Sequence, residues 1–286
     1  MPVKTMTRRQ FAVSAAAALS VLLVAGDAVA ASTARPNIVL IYADDLDFEE
    51  VPGYDSASMP CEFAWRRRAD PHAPAGPQLL MPNVRRLVTE GIRFDRFYIT
   101  SSVCTPSRYS LLTGRYASRC PAFVERNPAG QHATIRWNTP LGADETNVAK
   151  ALKAAGYTTG VVGKWHNFAI PGKKLSDKAF PEDGDPRDTK LAAAIRRRHD
   201  VACKALRDCG FDSAEAIFIG NTEHNRPKAL LGHNPEWMTA AARTFIEENR
   251  STPFFLYMPL TLPHGGYNAR WMRQSDPLAT TGGMLD

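Results

Sequence analysis

The sequence predicts an α/β sandwich with a central, mostly parallel sheet flanked by helices, on three observations. Residues 37–42 (N-I-V-L-I-Y) form a continuous apolar, β-branched run of the kind buried on both faces of a parallel sheet. A helix, a glycine or proline stop and a strand then recur along the chain, the alternation such a sheet requires. Each expected strand runs directly into polar residues, as strands do when their carboxyl ends line a site.

Taken in order, the chain opens on a targeting segment. Thr7-Arg8-Arg9-Gln10-Phe11 precedes an apolar stretch over 12–25, and Ala28-Val29-Ala30 supplies a small-x-small cleavage site. The arginine pair resembles a twin-arginine signal, against the plainer alternative of an ordinary secretory signal. The apolar stretch is too short and alanine-rich for a good membrane span, so the expectation is an export signal over 1–30, an export translocase as partner, no stable membrane anchor, and a periplasmic or secreted product.

The first strand, 37–42, stops at Asp44-Asp45. A connection over 46–80, rich in proline and glycine, carries Arg66-Arg67-Arg68. A helix is expected over 82–90, with Val84, Leu87 and Val88 on one face and Gly91 as the stop, followed by a strand over 92–99. Residues 147–155 place Val148, Ala151, Leu152 and Ala155 at helical spacing, Gly156 stops that helix, and 157–162 is a strand. Residues 171–214 read as a polar, charge-rich insertion without a placed element. Asn234 caps and Pro235 opens a helix through Phe245, and Pro253 leads into a strand over 254–258.

Composition narrows the function classes. The 44% hydrophobic and 22% charged fractions are those of a globular chain and exclude collagen-like, disordered and multi-span membrane classes. The formal charge is +6, and loss of residues 1–30, which hold Lys4, Arg8, Arg9 and Asp27, leaves +4. That surplus, with Arg66–Arg68 and Arg196–Arg198, suits either a solvated surface or an anionic substrate. No basic-aromatic alternation or nucleic-acid motif is present, so nucleic acid is not an expected partner. Of five cysteines, Cys61, Cys120, Cys203 and Cys209 remain once Cys104 is set aside. An oxidising compartment permits two disulfides among them, with Cys203 and Cys209 able to close a small loop, and buried free thiols are the alternative.

Single residues are weak signals. Asp44-Asp45 supplies the hard oxygen ligands that Ca²⁺ or Mg²⁺ takes, but paired aspartates after a strand also serve in turns. Cys104-Thr105-Pro106-Ser107-Arg108 is more informative. Pro106 is expected to hold Thr105 extended and Ser107 to cap the helix that Arg108 enters, leaving Cys104 just before a helix N-terminus, where the dipole favours a thiolate or an anion. A thiolate phosphatase would need Cys-x5-Arg around a glycine-rich cradle. Here Arg108 follows after only three intervening residues.

From Cys104 to Gly114 the chain resembles the signature of the type I, formylglycine-dependent sulfatases, C-x-P-S-R-x-x-L-x-T/L-G. Similar stretches follow the family's order: P-N-I-V-L-I-Y-A-D-D at the start, P-N-V-R-R-L-V-T-E-G-I-R-F before the signature, A-G-Y-T-T-G-V-V-G-K-W-H after it, and F-F-L-Y-M-P-L-T-L-P-H last. They cover most of 35–265.

The resemblance implies an alkaline-phosphatase-like sandwich and a hydrolase of sulfuric esters, arylsulfatase-like. It implies that a formylglycine-generating enzyme converts Cys104 to an aldehyde, whose hydrate attacks sulfur through one hydroxyl and expels sulfate through the other. Asp44, Asp45 and the modified Cys104 would hold Ca²⁺, with Mg²⁺ as the alternative. Arg108 would hold the diol. Lys164 and His264 would contact the sulfate oxygens, with His264 protonating the leaving alcohol and His166 serving as base. Asn167, where a leucine commonly follows the histidine, is expected to alter the pocket wall. The substrate would be a small sulfate ester or a sulfated glycan.

The family's later Asp-Asn-Gly type segment has no counterpart, and Gly283-Met284-Leu285-Asp286 resembles the helix that leads to it. Residues 31–286 are therefore expected to be an incomplete N-terminal catalytic domain, truncated at the C-terminus. The alternatives are a phosphonate or phosphate diester hydrolase of the same superfamily and a noncatalytic sulfate-binding remnant.

Overall fold

The computed structural model describes residues 35–46, 51, 81–128, 130, 132–169, 175 and 180–264. The expected export signal, most of the 46–80 connection with Cys61 and the first arginine run, and the helix start at Gly283 lie outside the described residues. All elements below belong to the unit Asn37–Asp286.

Strand β1 is Ile38–Asp44, followed by α1 Pro82–Glu90, α2 Cys104–Thr113, α3 Pro121–Arg126 and α4 Val148–Ala154. Then come β2 Thr158–Lys164, α5 Thr189–Asp208, β3 Ser213–Phe218, α6 Pro235–Asn249 and β4 Phe254–Pro263. The four strands form one sheet in the order β1-β4-β2-β3, and every neighbouring pair is parallel. Parallel neighbours need long crossovers, and α4, α5 and α6 occupy the stretches before β2, β3 and β4.

Alternation along the strands builds two cores. Val161, Phe255 and Tyr257 pack in one with Tyr109 of α2, Ala149 of α4 and Leu206 of α5. Val162, Phe254 and Leu256 pack in the other with Met238, Ala242 and Phe245 of α6. Consecutive residues of β2 and β4 thus feed opposite faces, so the sheet is flanked by helices, as the sequence predicted. Strand β4 is continuous and apolar because both its faces are covered, whereas β1 leaves Val39 and Ile41 exposed.

Local signals explain the element ends. Asn147 and Asn234 accept from Lys150 N and Trp237 N as N-caps, Pro235 opens α6, and Gly114 ends α2 at φ 67°. Gly163, at φ 118°, is required on two counts, since a Cβ there would also overlap the Pro259 carbonyl oxygen of neighbouring β4. That close approach falls beside a register shift between Val162 and Gly163, immediately before Lys164.

Three expectations are corrected, and for the described cysteines the alternative of free thiols holds. Residues 92–99 contain no strand, and Ile92, Phe94, Phe97, Tyr98 and Ile99 are exposed. Among the described residues their apolar pattern has no neighbouring strand to pair with, and pairing is what makes a strand. The insertion over 171–214 instead holds α5, whose Ile195, Ala202, Cys203 and Leu206 are buried, and the start of β3. Its charges sit on the outer face of an amphipathic helix. Cys203 and Cys209 are free and buried, as is Cys120, and Cys104 is also free. Burial pushes the Cys203 thiol up to about 12 and the Cys209 thiol to about 11. Finally, α2 begins at Cys104 with Val103 as its N-cap, so Thr105 is helical and Ser107 does not cap. Proline is tolerated in a first turn, where its missing N–H has no intrahelical partner to lose.

Of the second arginine run, Arg196 and Arg197 are exposed on α5, while the Arg198 guanidinium lies 5.0 Å from the centre of the Phe180 ring. Among the described residues no helix is long and apolar enough to cross a membrane.

Candidate active site

The site residues lie where three parallel strands end and one helix begins. Asp44 closes β1 and Lys164 closes β2, while His264 follows β4, which lies between those two strands. Cys104 is the first residue of α2 and Arg108 lies one turn on. Helical spacing places positions 104 and 108 on one face of α2.

Arg108 is fully buried, and its two terminal guanidinium nitrogens meet three partners while Nε has none among the described residues. Its Nη1 donates to the Lys164 carbonyl oxygen at 2.9 Å, and its Nη2 donates to the Leu260 carbonyl oxygen at 3.3 Å. The same Nη2 lies 3.4 Å from Asp44 Oδ2. Its guanidinium carbon also stands 5.4 Å from the centre of the Tyr42 ring, within cation–π range. Lys164 Nζ pairs with Asp44 Oδ2, and all three charged side chains are buried. Two buried cations against one carboxylate leave a net positive charge, which strongly favours an incoming anion where water is excluded.

Cys104 Sγ lies 3.2 Å from His166 Nδ1. Burial, then the Lys164 and Arg108 charges, lowers the His166 pKa to about 3, so its ring is neutral near pH 7 and one nitrogen is a free acceptor. His166 adopts φ 66° and Asp45 φ 63°, the left-handed region that non-glycine residues seldom occupy. Backbone strain at two neighbouring polar positions is a mark of sites whose surroundings hold them in place.

His264 lies apart from the buried trio. Its Nε2 is 3.6 Å from Asp45 Oδ2, and Asp45 is largely exposed. Every expected site residue is thus at the same strand-end rim, in three contacting groups: Asp44 with Arg108 and Lys164, Cys104 with His166, and Asp45 with His264.

The expectation for Asn167 is corrected. Its side chain is buried, and its Nδ2 donates at 2.9 Å to the carbonyl oxygens of both Thr105 and Thr139. It ties the first turn of α2 to the segment before α4. A leucine could fill similar space but leave both carbonyls without this donor.

Sequence reasoning missed four further polar groups. The Tyr42 hydroxyl and Ser107 Oγ are 2.6 Å apart, linking β1 to α2. Asn221 and Glu223 follow β3 and reach His264. The last two were within reach of the rule that polar residues after a strand face the site. They escaped because β3 begins inside a stretch read as an insertion.

Asp44 and Asp45 suit a divalent cation by donor type, since both offer hard carboxylate oxygens. Among the described residues, however, no group of three or more His, Cys, Asp or Glu side chains is placed to hold a metal ion. The two aspartates fit part of such a site.

Comparison with known proteins follows the same residues. Human arylsulfatase A is 38% identical over 148 residues, covering 52% of this chain and 24% of the relative. The arylsulfatase of Hemicentrotus pulcherrimus is 28% identical over 237 residues, covering 80% and 37%. The N-acetylgalactosamine-6-O-sulfatase of Bacteroides thetaiotaomicron is 28% identical over 271 residues, covering 78% and 47%. The chain thus spans between about a quarter and a half of the length of these curated relatives.

Among solved structures, yidJ from Bacteroides fragilis superposes with a TM-score of 0.51 at 18% identity, covering 84% of this chain and 47% of that one, a likeness of fold alone. The family model named Sulfatase matches residues 36–279, so the parallel sheet, the Cys104 helix and the polar strand ends are those of a chain that belongs to the sulfatase family.

Proposed function

We propose that the protein hydrolyses sulfate esters, arylsulfatase-like, with Cys104 as the precursor of its nucleophile. The observation that carries this reading is Cys104 Sγ at 3.2 Å from the neutral His166 ring, at the head of a helix whose Arg108 is buried beside Lys164. A substituent on the Cys104 side chain meets a proton acceptor on one side and net positive charge on the other. That is what a sulfate-transfer site needs: a base for the nucleophile's proton and cations for the sulfonate oxygens.

Oxidation of the Cys104 thiol to an aldehyde by a formylglycine-generating enzyme, followed by hydration, would supply paired hydroxyls, one to attack sulfur and one to release sulfate. His166 Nδ1 lies within reach to take a proton at that position. Arg108, locked by two backbone carbonyls, orients the group and offsets its charge. Lys164 and His264 face the anion, and His264 Nε2 holds the proton that passes to the ester oxygen as the S–O bond breaks. Asp44 and Asp45 would supply carboxylate ligands to Ca²⁺ or Mg²⁺, whose Lewis acidity polarises oxygen ligands when it is bound. The substrate class is a sulfate ester, free or on a glycan. The arginine pair Arg8-Arg9 and the Ala28-Val29-Ala30 site support export before the protein works in the periplasm or outside the cell.

The test is mass spectrometry of the Cys104 peptide from cells that carry the modifying enzyme, paired with sulfate release from an aryl sulfate. The expected result is conversion of CH₂SH to CHO and loss of turnover by roughly three orders of magnitude or more in Cys104→Ala. Turnover by a protein whose Cys104 remains a thiol would overturn the reading, as would a preference for an aryl phosphonate.

A further inference from the structure

Outside the residues that the sulfatase signature singles out, His233 is a buried side chain whose polar atoms are left over. It is only 5% exposed, and neither ring nitrogen has a hydrogen-bond partner among the described residues. An unpaired buried polar atom carries its whole desolvation penalty, so such atoms are few in a folded chain and call for a reason. Packing supplies none here, since an apolar side chain of similar size would fill the space without the penalty.

The position of His233 supplies the reason. It lies in the segment that joins β3 to α6, one place before the Asn234 cap. The Thr261 hydroxyl donates to its carbonyl oxygen at 3.5 Å, which ties position 233 to the end of β4, close to His264. The ring is within electrostatic reach of His264, Glu223, Lys164 and Asp44, so it belongs to the strand-end rim. A second leftover atom flanks His264. Asn221 Nδ2 donates to Glu223 Oε1 at 2.7 Å and lies 3.2 Å from His264 Nε2. A carboxylate only accepts, so the end of Asn221 on Glu223 is the nitrogen and the other end is the carbonyl oxygen. That Oδ1 is buried and has no hydrogen-bond partner among the described residues. The His264 side chain is 23% exposed, so a ligand has access to this corner of the rim.

A sulfate group cannot satisfy both residues. Its oxygens only accept, so they take an N–H from His233 and offer nothing to Asn221 Oδ1. A hydroxyl both donates and accepts, so hydroxyls serve the imidazole and the amide oxygen alike. Hydroxyls beside a sulfate ester belong to its alcohol portion. We propose that His233, together with Asn221 Oδ1, is a specificity-determining residue that hydrogen-bonds hydroxyls on the alcohol portion of the ester, so that the site favours a sulfated sugar over an ester of the same shape without hydroxyls. Discrimination of this kind is strong because the ester without hydroxyls seals buried polar groups away unpaired. The inference rests on the reading of this rim as a sulfate-ester site.

Calorimetric binding to the protein with Cys104 unmodified tests this without calling on turnover. The probes are the monosulfates of glucose and galactose, with the sulfate on each hydroxyl-bearing carbon in turn, and cyclohexylmethyl sulfate, which has a ring of similar size and no hydroxyl. At least one hexose sulfate should bind more tightly than cyclohexylmethyl sulfate. His233→Leu should weaken that sugar roughly tenfold or more and change cyclohexylmethyl sulfate by less than about twofold. His233→Gln, which keeps a donor and an acceptor, should recover much of the loss.

The urea midpoint of His233→Leu should be unchanged or raised, because the substitution removes unpaired polar atoms from the interior. A wild-type protein that binds no hexose sulfate more tightly than cyclohexylmethyl sulfate overturns the proposal. So do equal losses on the two probes in His233→Leu, and a lowered midpoint with the preference for the sugar intact, both of which mark a structural role. Failure of the sulfatase reading has a different signature: Cys104 stays a thiol and sulfate is not released, while the dependence of sugar binding on His233 remains.

Discussion

His199 shows how a half-buried side chain contributes to the chain's response to acid outside the candidate site. It lies on α5, and the Ile217 backbone N–H of β3 donates to its Nε2 at 3.1 Å. Burial is the main cause that lowers its pKa to about 4, so the folded protein holds it neutral. The unfolded chain binds a proton near the ordinary value of about 6.5, so the unfolded state takes up more protons between those limits. Stability from this residue is present above about pH 6.5 and is lost as pH falls toward 4, by at most about 3 kcal/mol. Urea midpoints across that window should show the loss, and His199→Gln, which keeps an acceptor for Ile217, should lessen the slope and leave the part due to His166. An unchanged slope in His199→Gln would remove this explanation. At the candidate site the comparable residue is Arg108, whose contacts to Lys164, Leu260 and Asp44 lie 56, 152 and 64 positions away in the chain.

The element that matters most for the site is α2, because Cys104 and Arg108 reach their partners only if its first turn is held in place. Asn167 does this from the far end of β2, through the carbonyls of Thr105 and Thr139. Asn167→Leu removes this donor from the Thr139 carbonyl and from the Thr105 carbonyl, which keeps its helical partner, at a total cost of about 1–3 kcal/mol. The expected result is a lower denaturation midpoint and a weaker Cys104–His166 contact, read as faster thiol alkylation at Cys104 in unmodified protein. Unaltered stability and alkylation would show that the anchor is dispensable.

Elements were legible in the sequence where a strong local signal coincided with burial. Asn147 and Asn234 cap their helices, and β1, β2 and β4 appear as apolar runs. The 92–99 run has the same apolar character and forms no strand, because nothing in a local pattern specifies a pairing partner. Helix α5 was missed for the converse reason: its arginines and lysines on the outer face mask an apolar stripe that includes Ile195, Ala202 and Leu206.

At the scale of the whole chain, two well-packed cores coexist with exposed apolar surface. Ile92, Phe94, Phe97, Tyr98 and Ile99 are each more than half exposed, and Val39 and Ile41 of β1 also face outward. Exposed apolar side chains concentrated in one segment mark an interaction surface or an aggregation liability. The 286-residue chain by itself is therefore expected to bind a hydrophobic dye and to scatter light increasingly with concentration. Replacing Phe94, Phe97 and Ile99 together by serine should reduce both without lowering the unfolding midpoint by more than about 1 kcal/mol. Equal dye binding by the triple variant would place the exposed surface elsewhere.

The sequence by itself determined the family and named the candidate site residues: Asp44, Asp45, Cys104, Arg108, Lys164, His166 and His264 are all read from short motifs. It also determined the parallel α/β architecture, since periodicity and stop signals act within a few residues of one another. The tertiary structure alone decided which of those groups touch. Lys164 sits on Asp44, Arg108 is clamped by two distant carbonyls, Ser107 serves Tyr42 instead of a helix end, and Asn221 with Glu223 stands behind His264. Those contacts join residues brought together by the order β1-β4-β2-β3, and strand order is set by the packing of the whole sheet.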